Sequence, residues 1–137
     1  MSAIMPTYGR LDVTFVRGEG TWLFDTDGEA YLDGVSGIAV TNLGHGHPAI
    51  TAAIQQQAGQ LLHTSNLYHI PAQQQLAATL TTATGMDSVF FCNSGAEANE
   101  TAIKLARLYG HRRGLVQPKI LVLESAFHGR TMCALSA

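Results

Sequence analysis

The sequence predicts an α/β chain: a small antiparallel meander, then helices, then a βαβ unit. Three observations predict it. Short β-rich runs separated by turn residues precede residue 34, two apolar periodicities of helical spacing each open on a proline, and residues 89–123 read strand, helix, strand. A chain of 137 residues can bury a core without disulfide or metal staples. Charged residues make up only 13% of it, against about 25% in an average soluble domain. Part of the surface is therefore expected to pack on further polypeptide or on a second subunit.

The meander is expected from runs at 13–16, 21–24 and 30–33, with Asp27-Gly28 turning the chain between the last two. Asp25-Thr26-Asp27-Gly28 is no calcium loop, because the glycine comes two positions early and no Glu closes it. Residues 34–46 are rich in glycine and small side chains. Pro48 then opens a helix through Ile50, Ala53, Ile54, Ala58 and Leu61, and Pro71 opens a second through Leu76, Ala77 and Leu80, ended by Gly85. The apolar run 89–92 reads as a strand buried on both faces of a parallel sheet. Ala98, Ala102, Leu105, Ala106 and Tyr109 recur on one face of the helix that follows, and 120–123 supply the next strand. Such a crossover is expected to be right-handed.

Composition narrows the partners. A formal charge of −2 with scattered Lys and Arg argues against nucleic acid and leaves a small molecule open. The first ten residues lack a leader pattern and no run is long enough to span a bilayer, so a cytoplasmic location is expected. Cys92 and Cys133 fit reduced thiols better than a disulfide framework. His45 and His47 lack a third ligand at a convincing spacing, so no metal is expected. His63 and His69 read as packing or hydrogen-bonding residues.

Two stretches carry chemistry. In Asn93-Ser94-Gly95-Ala96-Glu97 a strand gives way to a helix, whose free NH groups and dipole suit a phosphate or carboxylate. Gly95 permits close approach, Ala96 adds no bulk, and Ser94 can either cap the helix or donate its hydroxyl to the anion. Asn93 and Ser94 acting as caps alone is the plainer alternative. Ser94 lacks the preceding glycine of a nucleophile elbow, Asn99-Glu100-Thr101 is a chance sequon inside a helix, and Gly18-x-Gly20 lacks a dinucleotide fingerprint's third glycine. The second stretch, Phe127-His128-Gly129-Arg130-Thr131, follows the next strand and should open on the same crevice. A flat heteroaromatic ring could stack on Phe127, and Arg130 could clamp a carboxylate through two parallel hydrogen bonds.

Residues 90–107, containing Asn-Ser-Gly-Ala-Glu-Ala-Asn-Glu, and Phe-His-Gly-Arg-Thr at 127–131 resemble class III aminotransferases of fold type I, which use pyridoxal 5'-phosphate (PLP). Met5-Pro6-Thr7-Tyr8, Val16-Arg17-Gly18-Glu19-Gly20, Tyr31-Leu32-Asp33, Gly37-Ile38-Ala39-Val40, Leu43-Gly44-His45-Gly46-His47-Pro48 and Ser65-Asn66-Leu67-Tyr68 extend the likeness over residues 5–137, in the order seen in the acetylornithine branch. The resemblance implies an N-terminal part of such an enzyme, with 1–47 a strand-rich segment of the small domain and 48–137 the beginning of the PLP-binding large domain, truncated. It implies that Ser94, Gly95 and Ala96 hold the cofactor phosphate, that Phe127 stacks on the pyridine ring with His128 beside it, and that Arg130 takes a substrate carboxylate. The implied reaction, a step of arginine biosynthesis, moves the side-chain amine of N2-acetylornithine to 2-oxoglutarate in a homodimer. Ornithine, succinylornithine and 4-aminobutyrate enzymes are neighbours in the same resemblance. The lysine that links to the cofactor and the Asp that pairs with its ring nitrogen have no counterpart in this sequence. Neither Lys104 nor Lys119 matches that lysine's setting, so no catalytic residue is assigned and the 137 residues alone are expected to be inactive. A non-catalytic phosphate- or PLP-binding module is the alternative.

Overall fold

A computed structural model describes residues 3–137. Its contacts group into two compact units, the first running to Tyr68 and the second from His69 to Ala137.

The first unit is built on a three-stranded antiparallel meander of β1 (Phe15–Glu19), β2 (Trp22–Asp25) and β3 (Ala30–Leu32), in that spatial order. Gly20, at a φ of 56°, opens the turn between β1 and β2. A register shift between Phe15 and Arg17 bulges β1, and the Phe15 and Tyr31 rings meet edge to face at 5.3 Å. The second hairpin is organised by Asp25, whose Oδ1 accepts from the Asp27 and Glu29 NH groups while Oδ2 accepts from the Tyr31 hydroxyl. Burial alone would raise the Asp25 carboxyl, but these bonds outweigh it and hold it below the ordinary range.

β1 begins and ends later than the periodicity predicts, because Gly18 belongs inside the strand. A Cβ there would stand 2.5 Å from His45 Cγ, so only glycine lets the strand lie against that ring. Gly20 and His45 then exchange both backbone hydrogen bonds, at 2.9 and 2.7 Å. After β3 the chain makes a four-residue turn, α1 (Ser36–Ala39), with positive φ at every residue. Non-glycine residues rarely adopt that region. Asp33 holds its entry, since Oδ1 accepts from the Val35 and Ser36 NH groups and Oδ2 pairs with His45 Nε2 at 2.7 Å. Helix α2 (Pro48–Ala58) completes the unit.

The second unit contains α3 (Pro71–Thr84), stopped by Gly85 in the left-handed conformation, then α4 (Gly95–Arg112) and the short α5 (Met132–Ser136). Glu97 in the first turn of α4, and His111 with Arg112 in its last, complement the helix dipole.

The predicted βαβ sheet is not present among the described residues. Residues 89–92 and 120–123 flank α4, but the meander is the one sheet among the described residues. A strand exists through its neighbours' hydrogen bonds, and neither segment pairs with a strand among the described residues; Phe90 is 67% and Leu121 95% exposed. The observed architecture is thus helices with a small antiparallel sheet. Apolar cover is missing elsewhere as well. No described side chain is fully buried. Ile50 and Ile54 of α2 and Leu76 and Leu80 of α3, the faces read from the sequence as apolar stripes, stand open.

Candidate functional site

Ser94 begins α4 as its N-cap. Its Oγ accepts from the Glu97 NH at 3.2 Å, and the Glu97 carboxylate reaches back to accept from the Asn93 NH at 2.7 Å. This reciprocal cap resembles a capping box displaced by one residue. It uses the NH groups of Asn93 and Glu97 and leaves those of Gly95 and Ala96 without an acceptor among the described residues. Capping and anion binding therefore do not compete here: Ser94 caps, and the next two NH groups remain open. The Ser94 hydroxyl proton is also still available to donate.

The loop 127–131 lies on this helix start. Gly95, Ala96, Asn99, Phe127, His128, Gly129, Arg130 and Thr131 line one open cleft of about 440 Å³, within the roughly 300–1,000 Å³ typical of small-molecule sites. The structure thus brings together Gly95, Ala96, Phe127, His128 and Arg130, while Ser94 stands next to the cleft without lining it. Phe127 is 79% exposed, its aromatic face uncovered. His128 Nε2 is buried and lacks a hydrogen-bond partner, which fits a polar ligand group brought in from outside.

Four further residues at this site escape sequence reasoning. Asn99 donates from Nδ2 to the His128 carbonyl at 2.7 Å. Thr131 donates to Glu100 Oε1 at 2.6 Å, accepts from the Ala134 NH and so caps α5. The Thr131 hydroxyl, followed by Lys104 at 3.2 Å, holds the Glu100 carboxyl below the usual glutamate range. Gly129 sits at a φ of 126°, where a Cβ would stand 2.8 Å from Ala96 Cβ. The one signal for Gly129 and Thr131 was their place in the second chemistry-bearing stretch, and for Asn99 and Glu100 their place in the family-like segment 90–107; nothing in the sequence said which side chains would meet. His45, weighed above as a metal ligand, spends its Nε2 on Asp33.

A family profile described as aminotransferase class-III matches residues 4–137. The chain belongs to the class III aminotransferases. The acetylornithine aminotransferase of Nitrosomonas europaea is 58% identical over 137 residues, covering 100% of this chain and 35% of that protein. The chain thus spans about a third of the length of the curated relatives it matches. Among solved structures, N-acetylornithine aminotransferase from Stenotrophomonas maltophilia matches 78% of this chain and 29% of its own at 44% identity and a TM-score of 0.73. The ornithine aminotransferase of Toxoplasma gondii, solved with PLP at partial occupancy in its active site, matches 98% of this chain and 32% of its own at 28% identity and a TM-score of 0.89. The likeness to aminotransferase structures thus extends over 78% of the chain in the first and 98% in the second. No described helix is long and apolar enough to cross a membrane.

Proposed function

We propose that this class III aminotransferase chain is the N-terminal part of a PLP enzyme of fold type I that moves the side-chain amine of N2-acetylornithine to 2-oxoglutarate. The observation that carries the reading is the single cleft in which two open helix-start NH groups face an exposed aromatic ring and an arginine. The names of the relatives at 51–58% identity favour acetylornithine over the neighbouring substrates.

The residues fit the cofactor's chemistry. Gly95 and Ala96 donate their NH groups to its phosphate, with the positive end of the α4 dipole behind them, and Ser94 can add its hydroxyl. Phe127 offers its face to the pyridine ring, and the unpartnered Nε2 of His128 is available to a polar group of the bound cofactor or substrate. Arg130 takes the substrate α-carboxylate in a two-pronged grip, which leaves the distal amine for the reacting end. PLP, when bound, supplies an electron sink that lets the carbon bearing the nitrogen lose a proton. Residues 1–47 belong in this reading to the small domain and 48–137 to the cofactor domain. The open apolar faces of α2 and α3 are covered by the remaining polypeptide and by a second subunit of a homodimer.

The test is glutamate formation from N2-acetylornithine and 2-oxoglutarate by the complete gene product carrying this sequence, with added PLP. Turnover at least tenfold better, by kcat/KM, than with ornithine, N2-succinylornithine or 4-aminobutyrate is expected. Better turnover of one of those three would move the assignment to it, and no amine transfer from any would leave a non-catalytic module.

A further inference from the structure

We propose that Asn99, Gly129 and Thr131 form a clamp that sets the position of Arg130 relative to the open NH groups of α4, making Thr131 a positioning residue for substrate. The inference rests on the functional reading above for what Arg130 recognises. The clamp itself rests on geometry.

Ala96, Asn99 and Glu100 are spaced three and four residues apart and so share one face of α4. Each holds a different point of the loop. Gly129 packs on Ala96 so closely that a methyl group would not fit, Asn99 binds the His128 carbonyl, and Glu100 binds the Thr131 hydroxyl. These three attachments fall on residues 128, 129 and 131, on both sides of Arg130. The backbone of Arg130 is therefore pinned before and after, while its side chain projects from a fixed point. Thr131 does more than hold the loop, since its hydroxyl also accepts from Ala134 and starts α5. Glu100 is steadied in turn by Lys104 one helical turn further on. The chain thus fixes the distance between its anion-binding NH groups and its guanidinium through side chains that are expected to touch neither cofactor nor substrate with their reacting ends.

Thr131→Val keeps the shape and removes both hydroxyl bonds. Thr131→Ser keeps both bonds. Asn99→Ala releases the His128 carbonyl while sparing Glu100 and the α5 cap, and remains informative if the valine variant does not fold. In the complete gene product without ligand, amide hydrogen exchange over residues 127–131 should rise about tenfold in Thr131→Val and Asn99→Ala and stay unchanged in Thr131→Ser. The KM for N2-acetylornithine should rise about tenfold in the same two variants, with kcat within about twofold of the unsubstituted protein, and serine should restore it. Unchanged exchange in both variants overturns the clamp. Raised exchange with unchanged KM overturns the positioning role. Failure of the functional reading has a different signature: the unsubstituted protein then transfers no amine, and the exchange comparison still decides whether the clamp exists.

Discussion

At Gly129 the site depends on an absence. Its φ of 126° is strained for any side chain, and a Cβ would meet Ala96 at 2.8 Å. Gly129→Ala should therefore destabilise the fold by about 1–3 kcal/mol and weaken PLP binding about tenfold or more, read by thermal unfolding and cofactor titration of the complete gene product. Unchanged cofactor affinity would show that the loop and the helix start need not touch. Arg130 makes the opposite case, since its chemistry is in its side chain. Arg130→Lys keeps the charge and loses the fork. The KM for acetylornithine should rise about ten- to a hundredfold, as the loss of a charge-assisted hydrogen bond implies, while PLP binding stays within about twofold. Loss of cofactor with normal substrate KM would reverse the assignment. Gly95, Ala96, Phe127 and Arg130, which line one cleft, were legible as candidates because each was singled out by its own residue type. Gly129, Asn99 and Thr131 were not, because their roles depend on partners about thirty positions away in the chain.

While α2 stops at Ala58, short of the expected Leu61, and α5 was not foreseen, the starts of α2 and α3 at Pro48 and Pro71 and the end of α3 at Gly85 were read correctly. Local rules suffice there, since a helix satisfies its backbone within itself. The run 89–92 was read as a strand from its apolar composition, but a strand needs neighbours that no local pattern supplies, and none pairs with it here. The first run was expected to end at residue 16, whereas β1 continues to Glu19 with Gly18 inside it, admitting the His45 ring. Turn α1 was also missed, because its left-handed backbone is enforced by Asp33 and not by its own residues. Asp33 is held below the ordinary carboxylate range by its bond to His45 and then by the Ser36 NH. A carboxyl depressed in the folded state contributes stability that is present above its unfolded pKa and lost as pH falls through its folded one. Amide exchange at 35–40 should therefore accelerate as pH drops below the ordinary Asp range, after correction for the intrinsic pH dependence of exchange. In Asp33→Asn it should already be fast at neutral pH, with that acid-side change largely removed. Parallel profiles for the two proteins would remove Asp33 as the organiser of the turn.

Across the whole molecule, low charge and open apolar faces agree. The 13% charged composition led to the expectation that part of the surface packs on something else, and the stripes of α2 and α3 and the unpaired segments beside α4 are apolar surface that stands open among the described residues. The profile match over residues 4–137 places the chain among the class III aminotransferases, and the cleft between the α4 start and the 127–131 loop is its candidate site. The most direct test is a crystal structure of the complete gene product soaked with PLP. The cofactor phosphate is expected within hydrogen-bond distance of the Gly95 and Ala96 nitrogens, with the pyridine ring against Phe127. A phosphate bound elsewhere, with both nitrogens covered by protein, would contradict it.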